Sequence, residues 1–306
     1  MTATSSLSST GAFGSDRRSG PPRAVGLWLL LCAAMVLAMA VIGAITRLTE
    51  SGLSIMEWAP ITGVLPPLSQ DEWERVFELY RQIPEYSQEN AGMSLAEFKT
   101  IFWWEYIHRL WGRLIGLVFA VPLAWFWLRG RIDRSFARKL LIAFAMGAAQ
   151  GGLGWFMVAS GFAERTDVSQ YRLTAHLLLA IVIYAYLFWL ALEVLWPRPE
   201  RSRDSAIRAL RRSLIVLLAL VTITIASGGF VAGLNAGLTY NTFPLMDGHL
   251  IPSGYGDLSP WILNLFENIA AVQFNDRLLA MLTAALALTL WICSLSRDIA
   301  PAAHGG

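Results

Sequence analysis

Residues 101–128 read IFWWEYIHRLWGRLIGLVFAVPLAWFWL, and this stretch decides the fold. It is long and apolar enough to cross a bilayer as a helix, which takes roughly 20 mostly apolar residues. Yet its first half carries Glu105, His108, Arg109 and Arg113. Ionisable groups at membrane depth are costly and usually functional. The stretch therefore reads as a spanning helix with a site near one end.

Five further runs share its apolar character: 25–46, 139–160, 172–196, 213–234 and 262–295. The first is too long for the core of a signal peptide and reads as a retained helix. Composition agrees. Of 306 residues, 55% are hydrophobic and only 15% are charged, against about 25% charged in an average globular chain. That excludes a disordered chain, a nucleic-acid binder and an ordinary cytosolic enzyme. Cys32 and Cys293 form neither a CxxC nor a zinc spacing. The expected fold is all-α, a polytopic membrane helix bundle with six transmembrane helices.

The bias of Lys and Arg between loops sets the orientation. Basic residues gather at Arg17, Arg18 and Arg23, at Arg129, Arg131, Arg134, Arg138 and Lys139, and at Arg198, Arg201, Arg203, Arg208, Arg211 and Arg212. Residues 48–100 carry three basic residues against nine acids, and 235–261 carry no Lys or Arg. Both termini are therefore expected on the cytoplasmic side, with 48–100 and 235–261 outside. The organisation expected is a disordered tail 1–24 and a four-helix half 25–196. A basic loop 197–212, a two-helix unit 213–296 and a tail 297–306 follow. Within 48–100, DEWERVFELYRQ reads as a short helix capping the outer face.

The chain repeats itself weakly. Glu105-Tyr-Ile-His108-Arg109-Leu110 aligns with Gln273-Phe-Asn-Asp276-Arg277-Leu278, and GAITRLTESGL from Gly43 resembles GFVAGLNAGL from Gly229. The pattern suggests a duplicated four-helix unit. The first copy is complete, and the second is a two-helix remnant of a pseudo-symmetric half.

His108 and His176 fall on the second and fourth runs, which point the same way, at similar distances from the outer end. Two imidazoles at one depth can clamp a haem through its iron. The alternative is a pair of core histidines hydrogen-bonded to neighbouring helices. Covalent haem attachment is not expected, because no CxxCH occurs. Glu105 shares a helix face with His108. It reads either as a proton acceptor or substrate-orienting acid, or as a structural ion pair with Arg109, Arg113 or Arg172. Arg109 and Arg172 stand near the outer boundary as propionate partners or as interface anchors. Gly147, Gly151 and Gly154 have the spacing of a helix-packing face, with room for a flat cofactor beside the backbone. His249 reads as a loop histidine and His304 as part of the tail.

Four strings carry a family resemblance: GAITRLTESGLSIMEWAPITGVLPP, GMSLAEFKTIFWWEYIHRLWGRLIGL, DVSQYRLTAHL and AGLNAGLTYNTFPLMDG. Spread over about residues 40–280, they resemble the haem A synthases of cytochrome oxidase assembly. The match is to the alphaproteobacterial and mitochondrial branch, which lacks paired cysteines in the first outer segment. The resemblance implies eight transmembrane helices in two pseudo-symmetric halves, each with a histidine pair. It implies oxidation of a methyl group of haem O to the formyl group of haem A, through successive hydroxylations, with haem B as cofactor. By the same resemblance His108 and His176 are the axial pair of the substrate site, and Glu105 is the catalytic acid beside it.

The haem B site belongs to the second half, where Asp276 stands in place of the family's histidine. Two helices of the family pattern lie beyond Gly306, so the resemblance implies a C-terminally truncated member with impaired activity. Implied partners are membrane lipid, haem O, the haem O synthase, oxidase assembly factors and a second copy of the chain. No nucleic acid is expected, and the implied location is the bacterial inner membrane. The rival reading is a non-enzymatic haem-binding or haem-chaperone membrane protein. A transporter is a weaker third, since no broken-helix ion site is visible.

Overall fold

The computed structural model describes residues 21–59, 62–162, 166–196 and 205–295. Expectations for the N-terminal arginines Arg17 and Arg18, for Arg198, Arg201 and Arg203, and for the tail with His304 lie outside the described residues. Eight α-helices are present among the described residues: α1 Arg23–Leu48, α2 Gln70–Tyr80, α3 Pro84–Gln88, α4 Leu95–Leu128, α5 Arg134–Val158, α6 Gln170–Leu195, α7 Ser205–Gly233 and α8 Ile269–Leu295. No strand ladder accompanies them among the described residues. Six are long and apolar enough to cross a membrane. The protein is an all-α polytopic membrane bundle, as its apolar runs require.

Helix starts differ from the hydropathy edges because polar caps, not apolar runs, set them. α4 begins at Leu95 rather than near 101. The Ser94 hydroxyl accepts from the backbone of Glu97 at 3.3 Å, and the Glu97 carboxylate accepts from the backbone of Ser94 at 2.8 Å, a reciprocal capping box. α5 starts at Arg134, where the Asp133 carboxylate accepts from the Phe136 N–H at 2.9 Å. α8 starts at Ile269, not 262. Residues Trp261–Leu265 form a separate 3₁₀ turn, and the Asn268 side chain then caps the Ala271 N–H.

α1 and α5 each pack against both α4 and α6. The four helices thus make a four-sided bundle in which α4 and α6 lie on a diagonal. α7 packs on α6, and α8 on α7, as a two-helix wing. Arg47 ties the wing to the bundle. It donates to the Ala232 carbonyl at 2.9 Å and pairs with Asp167 at 3.4 Å, and Asn235 bridges to the same carboxylate.

The interior is packed at two levels. At the end carrying the basic loops, Leu29, Cys32, Phe119, Phe126, Leu140, Leu187 and Leu190 form one buried cluster. At the opposite, capped end, Trp73, Phe77, Tyr80 and Ile83 from the α1–α4 connection pack on Phe98, Phe102 and Tyr106 of α4. Burying each such side chain contributes about 1.5–3 kcal/mol. Between the clusters no residue of 37–45, 107–118, 144–160 or 175–182 is buried. All four helices therefore share one unpacked stratum at the same level.

Gly147 and Gly151 do not pack against a helix as their spacing suggests. A Cβ added at either would meet nothing within 4 Å, because both turn toward this stratum. The close helix approach lies elsewhere. A Cβ on Gly229 or Gly233 of α7 would come within 2.7 or 2.6 Å of Thr174 or Gln170 of α6.

Candidate functional site

His108 and His176 both fall in the unpacked stratum, on the diagonal helices α4 and α6. They lie within electrostatic reach of each other. His108 sits further from its helix start than expected, because the first two turns of α4 belong to the cap, where Phe98 and Phe102 are buried.

Each imidazole is backed by a glycine of a neighbouring helix. A Cβ on Gly43 of α1 would lie 3.1 Å from Cε1 of His108, and one on Gly154 of α5 would lie 3.0 Å from Cε1 of His176. Any larger residue would displace the rings. Both Nδ1 atoms are buried without a hydrogen-bond partner. An unmet polar atom of this kind costs about 1–3 kcal/mol, and each lies on the glycine-backed side of its ring, 3.5 Å from where a Cβ on Gly43 or Gly154 would stand.

Gln150 of α5 also belongs to the site. Its Nε2 donates to the carbonyl of His176 at 3.1 Å and lies 3.2 Å from His176 Nε2. Sequence reasoning missed it, although an amide inside an otherwise apolar spanning run was the available signal.

Glu105 is 3% exposed. Its Oε2 accepts from the Ser54 hydroxyl and from the Ile55 N–H, both at 2.7 Å. Its Oε1 accepts from Arg109 Nε at 3.0 Å and Nη2 at 2.6 Å. Arg109 continues to the carbonyls of Ile55 at 2.7 Å and Glu57 at 3.0 Å. The pair therefore clasps segment 54–57 over the capped end of the stratum. Arg109 is the ion-pair partner of Glu105. Arg113 donates instead to the Ala59 carbonyl at 2.9 Å. Arg172 donates to the Phe156 carbonyl at 2.7 Å and lies 3.7 Å from the centre of its ring, anchoring the end of α5.

The same clasp recurs in the wing. The Gln273 amide bonds both backbone groups of Tyr240, and Arg277 donates to the carbonyls of Tyr240 and Thr242. Between them Asp276 occupies the register of His108. It hydrogen-bonds Ser227, beside Gly228 of α7. Among the described residues of 205–295, the sole histidine is His249, whose backbone pairs with Met246 in the outer loop.

One cap carboxyl is buried without a counter-ion among the described residues. Burial, and then the nearby carboxylates Glu105, Asp167 and Glu50, push Glu85 up to about 8.

A family model described as cytochrome oxidase assembly protein matches residues 26–305. Among curated relatives, the chain is 52% identical to the haem A synthase of Nitrosospira multiformis over 279 residues, covering 91% of this chain and 78% of that protein. It is 55% identical to that of Rhodospirillum centenum over 285 residues, covering 93% and 76%. It is 51% identical to that of Paramagnetospirillum magneticum over 286 residues, covering 92% and 80%. No solved structure matches the chain.

Proposed function

The chain belongs to the cytochrome oxidase assembly protein family, and from that premise we propose that it is a haem A synthase-type membrane oxidoreductase converting haem O to haem A. The supporting observation is the unpacked stratum that contains both His108 and His176, on diagonal helices. Orphaned imidazole nitrogens, glycine backing for each ring and an unpacked layer between two solid cores all fit a planar macrocycle as substrate.

A bound haem would supply the iron and the methyl group, whose conversion to a formyl group takes up an oxygen atom and passes electrons to an external acceptor. The chain's own residues hold and enclose it. His108 and His176 would hold it through their imidazole nitrogens, with Gln150 hydrogen-bonded beside His176. The cap excludes water through the segment held by Glu105 and Arg109. Glu105 is the acidic residue of the site and orients this wall. A proton accepted there would displace one of its four hydrogen bonds. Arg109 and Arg172 stand at the capped end, where the propionates of such a macrocycle would lie, with backbone carbonyls already taking much of their donor capacity.

Haem B does not fit the described residues of the second half. α7 and α8 offer no imidazole, and Asp276 is a hard, charged group that is costly at membrane depth. The same observation favours the second reading, a family member that binds haem without converting it. Lipid and haem O are the partners proposed first. The haem O synthase, oxidase assembly factors and a second copy on the α7–α8 wing are proposed after them. The proposed location is the bacterial inner membrane, with the capped end outside.

The test is haem O conversion in a host that lacks its own synthase, with the haem of the purified chain extracted and identified. Haem A formation supports the enzyme. Bound haem O without haem A supports the second reading, and a chain with no haem overturns both.

A further inference from the structure

If a macrocycle lies between His108 and His176, its way in and the place of any long substituent follow from which walls of the stratum are closed. The capped end is closed by segment 54–57 and by Leu53, which packs on Gly161. The basic end is closed by the buried cluster. The α1–α4 wall is closed. Trp111 Nε1 donates to the Met35 carbonyl at 3.0 Å, Met39 reaches Gly112, and Gly43 backs His108. α1 packs more extensively on α6 than on any other helix. The α5–α6 wall is closed by Gly154 against His176 and by the Gln150 bond to the His176 carbonyl.

The α4–α5 wall differs. Toward the basic end the two helices meet through the stacked rings of Phe119 and Phe144, 6.3 Å apart. At the capped end Trp58 and Trp155 meet at 6.0 Å. Between these two aromatic pairs, a Cβ on Gly116 of α4 or on Gly151 of α5 would meet nothing within 4 Å. Gly151 lies three residues from Gly154 and shares its side of the helix, so the open strip is continuous with the histidine layer. α7 and α8 pack beyond α6 and leave this seam uncovered.

We propose that the α4–α5 seam between the two aromatic pairs is a lateral slot that admits the porphyrin from the bilayer and holds its long apolar chain. The proposal rests on the haem O reading above and names the part of the substrate that this wall recognises. Haem O and haem B share a macrocycle, but only haem O carries a long isoprenoid chain. A side chain projecting into the strip competes with that chain and leaves the macrocycle between the histidines untouched.

The test is equilibrium titration of the purified full chain in detergent with haem O and, separately, with haem B, read by the Soret band. Gly116→Leu and Gly151→Leu are expected to weaken haem O binding about tenfold, the effect of excluding two or so methylenes from an apolar slot. Haem B binding is expected to stay within about twofold, which also reports that the variants fold. Gly152→Leu has the same bulk on the adjacent position, and its Cβ too would meet nothing within 4 Å. It points away from His176 and is expected to change neither affinity. Equal loss of both haems in the Gly116 and Gly151 variants, or no loss of either, overturns the slot. A wild-type chain that binds neither haem overturns the haem reading itself, and is distinguishable from both.

Discussion

Gly154→Ala is the smallest perturbation that reaches the proposed iron ligand. The new methyl would lie 3.0 Å from Cε1 of His176 and 3.5 Å from its Nδ1. Ordinary carbon contacts begin near 3.4 Å, so the ring must retreat by a few tenths of an ångström or rotate. Overpacking of this kind costs about 1–3 kcal/mol, and ligand constellations tolerate only about 0.5 Å of displacement. At 1.4 kcal/mol per tenfold, haem affinity should fall roughly 10- to 100-fold. The assay is haem titration of the purified protein, with the visible spectrum reporting axial ligation. Gly152→Ala is the control. Its methyl meets nothing within 4 Å, and exchanging Gly for Ala inside a helix contributes up to about 1 kcal/mol of stability. Unchanged affinity in Gly154→Ala, or equal loss in both variants, refutes the claim that this glycine positions the ring.

Other predictions concern the supports of the site. The folded Glu85 carboxyl holds a proton up to about 8, whereas an unfolded one releases it near 4.5. The folded form thus binds more protons between those values. Stability from this group is complete below the lower value and is lost as pH rises toward 8, at up to about 1.4 kcal/mol per pH unit. Glu85→Gln should flatten that slope in thermal melts followed by near-ultraviolet dichroism of the aromatic cap; an unaltered slope rejects the assignment. Glu105→Leu leaves Arg109 without its carboxylate and should cost about 3–5 kcal/mol, seen as faster hydrogen exchange across 54–57. Gln150→Leu removes the direct neighbour of His176 and should weaken haem binding about 10- to 100-fold, as losses around metal ligands commonly do. Equal binding in that variant would remove Gln150 from the site.

The spans were legible because membrane helices are written in hydropathy, and all six runs became helices. Their starts were less legible, since Ser94 and Asp133 begin helices in polar sequence several residues before the apolar edge. The two histidines and Glu105 stood out as ionisable residues in apolar runs. The sequence reading left the ion-pair partner of Glu105 open, although Arg109 stands one turn away and Arg113 two turns away; the carbonyls of Ile55 and Ala59 show what the two arginines hold. Gly43 was noticed as part of a repeat, but its contact with His108 depends on how α1 crosses α4. The spacing of Gly147 and Gly151 suggested helix packing, and their open surroundings follow from a packing gap shared by four helices. No single helix encodes such a gap in its own periodicity.

The central claim is that His108 and His176 hold one haem between them. Optical and electron paramagnetic resonance spectra of the haem-loaded full chain, beside those of His176→Ala, test it most directly. The account predicts a low-spin haem with two imidazole ligands in the wild type, and a high-spin or lost haem in the variant. A His176→Ala protein with full haem content and an unchanged low-spin signal would contradict it.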